Sequence, residues 1–110
     1  MISHARLIAT VCLLLAACEY VVGFDYRVAS KDPKVTSGQM LRVVTDALDR
    51  AEAGAWAQID EKTGEVTFAL GALGSGKPPS VRNTETRLLG ALRHEFGDRV
   101  EVFCNGEPLR

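Results

Sequence analysis

The sequence predicts a small α+β domain, an antiparallel sheet with two helices on one face. Apolar residues recur at every second position around Tyr20–Val28, Glu65–Leu70 and Arg99–Cys104, and at every third or fourth position around Leu41–Ala51 and Leu88–Phe96. Glycine and proline punctuate the joins at Gly54, Gly64, Gly71–Pro79, Gly97 and Gly106. With 46% hydrophobic and 25% charged residues in 110, the composition is that of one globular domain. A net charge of -1 with no polybasic run gives no pull toward nucleic acid.

In chain order, Tyr20, Val22, Phe24, Tyr26 and Val28 form one apolar face of a first strand, broken by Lys31-Asp-Pro-Lys34. Thr36-Ser-Gly-Gln39 has the spacing of a capping box, so a helix starts there, with Leu41, Val44, Leu48 and Ala51 facing inward and Gly54 as its stop. Asp46 and Arg50 are spaced to pair on its solvated side. Ala55–Asp60 and Glu65–Leu70 flank Glu61-Lys-Thr-Gly64, whose glycine suits a hairpin turn. Ala57 and Ile59 then share a face with Val66, Phe68 and Leu70, which puts Trp56 on the other face, either under a second layer or exposed as a binding aromatic.

A Gly/Pro-rich loop is expected from Gly71 to about Arg82. A second helix then starts near Asn83 or Thr84, with Leu88, Leu89, Leu92 and Phe96 as its stripe. Arg99–Cys104 reads as a last strand, and after the Asn105-Gly106 turn Glu107–Arg110 reads as a short tail. This strand and helix order is a split βαβ arrangement of the ferredoxin-like type. The alternative is αββαβ, with the first strand left out. In that alternative, Gly64-Glu-Val-Thr-Phe, the following helix and Arg99-Val-Glu-Val are similar to a BON-type envelope module, a resemblance that implies phospholipid or envelope association.

The segment before the first strand has a different character. Met1–Arg6 carries His4 and Arg6 and no acid, Leu7–Leu15 is a nine-residue apolar block without charge, and Ala16-Ala17 are small. This is the layout of a secretory signal, since spanning a bilayer takes roughly 20 apolar residues. Leu15-Ala16-Ala17-Cys18 resembles the lipobox of bacterial lipoproteins at all four positions. The resemblance implies cleavage after Ala17, leaving residues 18–110 as one small domain, with acyl chains such as palmitate carried by Cys18. It also implies a periplasmic-facing lipid anchor, and Glu19, where aspartate marks inner-membrane retention in enteric bacteria, favours the outer membrane. Two or more acyl chains, at ~0.8 kcal/mol per buried CH₂, hold a protein firmly. The alternatives are an uncleaved anchor from Leu7 to Phe24, made costly by Glu19, and a plain cleaved signal.

Cys12 leaves with the signal and Cys18 takes lipid, so Cys104 is the remaining thiol, and its period-2 register with Val100 and Val102 predicts a buried, inert position. Removing residues 1–17 leaves 93 residues, 12 of them basic because Arg6 is lost, against 14 acidic. Such a domain folds alone with modest stability.

Three motifs suggest chemistry and each lacks a part. Gly71, Gly76 and Lys77 have phosphate-loop spacing, but Pro78 stands where Ser or Thr would bind Mg²⁺, so no nucleotide is expected. His94-Glu95 begins H-E-x-x-H, but Asp98 replaces the second histidine, so no metal is expected. Asp25 or Asp60-Glu61 could supply paired carboxylates, but nothing frames a cleft around them. No cofactor and no catalytic residue are assigned. The reading is a non-enzymatic envelope lipoprotein that binds another envelope protein, with Trp56, Arg82 and Arg93 as candidate contacts. The alternative is direct binding of phospholipid or peptidoglycan.

Overall fold

The computed structural model describes residues 21–49, 56–73 and 76–109. Strand β1 (Val21–Ser30) is the centre of the sheet. Phe24, Tyr26 and Val28 are buried on one side of it, while Gly23, Asp25 and Arg27 are exposed on the other, as the alternation predicts. Because β1 pairs with neighbours on both sides, the αββαβ alternative does not describe the chain.

Helix α1 (Ser37–Asp49) begins at the predicted capping box. The Gln39 N–H donates to Thr36 Oγ1 at 3.2 Å, and the Thr36 N–H donates to Gln39 Oε1 at 2.9 Å, so two otherwise orphaned donors are satisfied reciprocally. Val35 before the cap and Met40 at the fourth helical position are both buried, as in a hydrophobic staple. The buried stripe is Met40, Val44, Ala47 and Leu48, which keeps the predicted Val44 and Leu48 but turns toward Met40 and Ala47, with Leu41 only partly covered. The expected Gly54 stop, Ala51 and the Arg50 partner of Asp46 lie outside the described residues.

Strand β2 (Gln58–Ile59) is shorter than the expected Ala55–Asp60, and a two-residue edge offers little backbone for unwanted pairing. The turn after it is fixed by Asp60, whose carbonyl accepts from the Gly64 N–H at 2.7 Å while its own N–H donates to the Glu65 carbonyl at 2.8 Å. Gly64 has φ of 72°, the positive value a turn glycine supplies. The Ser37 hydroxyl donates to the Gly64 carbonyl at 2.6 Å, which docks this turn on the start of α1.

Strand β3 (Val66–Leu73) and helix α2 (Pro79–Phe96) correct the predicted loop at both ends. The strand runs on through Leu73 because the first half of β1 needs a partner: Val21 faces Leu73, Gly23 faces Gly71 and Asp25 faces Ala69. The helix starts at Pro79 rather than near Asn83, because a proline in the first turn forfeits no helical hydrogen bond and its φ is already set. The Arg82 N–H closes the first turn on the Pro78 carbonyl at 3.1 Å. Val81 and Thr84 are therefore buried with Leu88, Leu92 and Phe96. Gly97, at φ 60°, ends the helix and opens a 3₁₀ turn (Gly97–Arg99). Arg99 donates from Nε to the Phe96 carbonyl at 3.0 Å and from Nη2 of its guanidinium to the Glu95 carbonyl at 3.3 Å, satisfying carbonyls at the helix end.

Strand β4 (Val100–Cys104) buries Val100, Val102 and Cys104, as the period-2 reading of the thiol predicts. The expected tail pairs instead, as β5 (Glu107–Pro108), with Cys104 facing Glu107. Asn105 (φ 51°) and Gly106 (φ 83°) both take left-handed backbone, the requirement of a two-residue hairpin turn whose twist matches the strands. The antiparallel sheet runs β2-β3-β1-β4-β5. Each helix thus links two strands separated by a third. Both helices contribute buried stripes to the same core as the inward faces of β1, β3 and β4, and no helix of the described residues is long and apolar enough to cross a membrane.

Candidate functional site

Two groupings of chemistry-bearing side chains emerge, one on each face of the sheet. On the helix-covered face the row Phe68–Tyr26–Cys104 crosses three strands, and the Tyr26 and Phe68 rings stack with centroids 4.8 Å apart. A tyrosine buried this deeply needs a hydrogen-bond partner for its hydroxyl. Helix α2 provides one: the Tyr26 hydroxyl donates to Glu85 Oε1. The same carboxylate oxygen lies 2.5 Å from the Lys77 ammonium, which also sits 5.8 Å from the centre of the Phe24 ring.

This arrangement is an internal clasp. Burial, and then the bond to Glu85, push the Tyr26 phenol well above its ordinary range, so it stays protonated and is a donor rather than a nucleophile. The hydrogen bond with Glu85 raises the Lys77 pKa against the opposing effect of partial burial, so that lysine stays charged. The three residues with phosphate-loop spacing do not share one loop. Gly71 lies within β3, Gly76 is a positive-φ turn residue at 81°, and Lys77 points at Glu85 and Phe24.

Among the described residues no helix covers the opposite face. Trp56 is 86% exposed, which decides the question the sequence left open between a covered and an uncovered indole. It borders a shallow depression of about 440 Å³ with Asp25, Arg27, Gln58, Thr67 and Ala69. Arg27 is already engaged there: its guanidinium lies 3.2 Å from a Glu65 carboxylate oxygen and 4.5 Å over the Phe103 ring. Asp25 uses its backbone to hold the β4–β5 turn, donating to Asn105 Oδ1 at 2.9 Å and accepting from the Asn105 N–H at 2.7 Å.

The predicted contact residues do not converge. Trp56 is on the open face, whereas Arg82 and Arg93 are exposed on α2, in the helix layer. Eleven residues of helix separate the two arginines, about three turns or roughly 16 Å, so they project from the same side. Arg99, with similar sequence surroundings, is spent on the helix end and lies 3.9 Å from Asp32. His94 is exposed in the last turn of α2, where a basic residue complements the helix dipole. Among the described residues no three His, Cys, Asp or Glu side chains gather as a metal site. Leu15, Ala16, Ala17 and Cys18 lie outside the described residues.

Sequence reasoning missed Glu85 and Phe103. Phe103 had a signal: if Val100, Val102 and Cys104 face inward, Phe103 must face out beside Arg27. Glu85 had a weaker one, since it lies three and four residues from Leu88 and Leu89 and so flanks the buried stripe. Compared with protein-family models, curated proteins and solved structures, the chain finds no match in any of the three.

Proposed function

We propose that this chain is a bacterial envelope lipoprotein that acts by binding another envelope protein rather than by catalysis. The observation that carries the reading is the placement of Leu15-Ala16-Ala17-Cys18 ahead of a domain whose central strand begins at Val21. Only Glu19 and Tyr20 separate the acylated cysteine of this reading from β1. Three peptide units span at most ~11 Å, so the lipid would hold the domain against the membrane surface. Outer-membrane placement follows from Glu19 in this reading.

A binding role is supported by how the ionic residues are used. Lys77 and Glu85 hold the clasp, Arg27 is taken by Glu65, and Arg99 is taken by the end of α2. Arg82 and Arg93, exposed on one side of α2, remain as contacts for an acidic protein surface, where charge pairs guide encounter and register.

The test has two stages. Intact mass of membrane-extracted wild type and Cys18→Ser should show loss of Met1–Ala17 and a multi-acyl addition in the wild type alone, and globomycin should block the processing. An unmodified precursor overturns the anchor. Photo-crosslinking in cells from exposed position 86, one turn from Arg82 on α2, should then trap a discrete envelope protein, and Arg82→Glu with Arg93→Glu should abolish the trap. Sedimentation of the protein with purified peptidoglycan in place of any such partner would favour the second reading.

A further inference from the structure

The one large apolar side chain left almost wholly exposed among the described residues is Trp56, and the geometry points to the lipid it touches. We infer that the open sheet face tilts onto the bilayer and that Trp56 seats in the headgroup–acyl boundary beside the acylated Cys18. This rests on the lipid-anchor reading and adds to it an orientation and a contact residue.

The first support is position. β2 runs parallel to β1, because both are antiparallel to β3, and Gln58 stands opposite Thr67 as Arg27 does, so Trp56 precedes its strand near the level of Asp25, on the side of β2 toward the start of β1. It borders the depression next to Asp25 and Ala69, which face each other across β1 and β3. Asp25 is four residues from Val21, roughly 13 Å along a strand at ~3.3 Å per residue. Adding the three peptide units back to Cys18 gives a reach of roughly 24 Å, so a sheet standing upright lifts Trp56 clear of the membrane while a tilted one lowers it to the surface.

The second support is the surface between anchor and indole. Gly23 and Gly71 face each other there, Ala69 follows, and all three are exposed. A Cβ built on Gly23 would meet nothing within 4 Å, so no neighbour crowds the strip at that position. No bulky side chain at these three positions holds the backbone away from a flat surface, and the indole is the apolar group that projects beyond them. Tryptophan is the side chain enriched at membrane interfaces, where its apolar ring and its N–H each find a suitable medium.

The third support is charge. Asp25, Arg27, Glu65 and Glu101 line this face, three acids to one base, and Arg27 is paired with Glu65. The face therefore has no basic surplus to draw it to anionic lipid, and the contact is apolar and tether-driven. The arginines on α2 are left facing the aqueous side, open to a partner.

The experiment uses the single tryptophan of the chain as its own probe. Membrane-extracted mature protein, shown by mass to be acylated, is reconstituted into neutral phosphatidylcholine vesicles with or without bromine on the upper acyl chain. Seating of the indole at this depth should remove about half of its emission in the brominated vesicles, with a blue-shifted maximum, and the loss should persist in 0.5 M salt. An acylated, vesicle-bound protein whose emission is equal in the two lipids overturns the inference while leaving the anchor intact; an upright domain or an indole reserved for a protein partner gives that result. Quenching that disappears in high salt overturns it too, because the contact is then electrostatic. A protein without acyl mass that fails to bind vesicles sinks the anchor reading first.

Discussion

The two faces of this sheet are built from the same strands and obey opposite rules. On the covered face, Tyr26, Val28, Leu70 and Val102 lie under two helices, and even the polar atoms are consumed internally, phenol to carboxylate to ammonium. On the open face the same strands carry Gly23, Asp25, Arg27, Ala69 and Phe103, and Trp56 stands free. The comparison shows where stability and where recognition are encoded. A residue-by-residue alternation separates them, so neighbouring positions such as Asp25 and Tyr26 serve different ends.

The largest expected effect is on the covered face. Leu92 is 1% exposed in the middle of α2, and Leu92→Ala removes that packing and leaves a cavity. A loss of about 3 kcal/mol is expected in chemical denaturation, within the usual range for such truncations. For a domain of this size that is a large fraction of the total stability and lowers Tm by more than about 10 °C. A loss below about 1 kcal/mol would mean that α2 is not seated on the sheet as described.

Next comes the clasp. Glu85→Ala leaves a buried phenol donor and a half-buried ammonium without their acceptor, at a cost of about 2 kcal/mol, whereas Tyr26→Phe removes one donor and keeps the Lys77 pair, at about 1 kcal/mol. The pH dependence has a definite sign. Both pKa values are raised by folding, so the fold favours the protonated forms. The stabilisation is complete below the ordinary tyrosine and lysine values of 10.0 and 10.5 and is lost as pH rises beyond them. Thermal unfolding between pH 8 and 11 should therefore show a steeper alkaline fall for wild type than for Tyr26→Phe. Parallel curves would show that the phenol is not buried against Glu85.

These two regions were legible in the sequence to different degrees. Alternation is a local signal, and it placed Phe24, Tyr26, Val28, Val102 and Cys104 correctly without knowledge of what covers them. The Thr36–Gln39 capping box was equally readable because its two partners lie three residues apart. The Tyr26–Glu85 bond was not, since 59 residues separate the partners and only the docking of α2 brings them together. Pro78-Pro79 was read as a breaker when it is a helix start, because a proline pair gives the same local signal at both. The extension of β3 to Leu73 was hidden for a related reason: Gly71-Ala-Leu looks like loop until β1 provides the partner that makes it strand. Trp56 was assigned to the face opposite the core by parity alone, but whether a second layer covered that face needed the structure.

The turn at the end of β4 offers a smaller perturbation that belongs to neither face. Gly106 has φ of 83°, and a Cβ there would meet no neighbour within 4 Å, so Gly106→Ala imposes backbone strain without a clash. A loss of about 1 kcal/mol is expected, the usual cost of forcing an L side chain into this region. Equal stability would indicate that the β4–β5 hairpin contributes nothing to the fold.

The smallest expected effect is the one that tests the comparison most directly. Trp56→Ala removes the largest side chain in the molecule from a position where 86% of it faces solvent, so denaturation midpoints should move by less than about 0.5 kcal/mol. Size alone would predict the opposite, since truncating a packed tryptophan costs about 3–5 kcal/mol. A loss above about 1.5 kcal/mol would therefore mean that the indole is packed and that the open face is a second core. A near-zero value, set beside quenching of the wild-type indole in brominated vesicles, would separate the two faces cleanly, because the side chain that meets the bilayer would contribute nothing to the folding equilibrium.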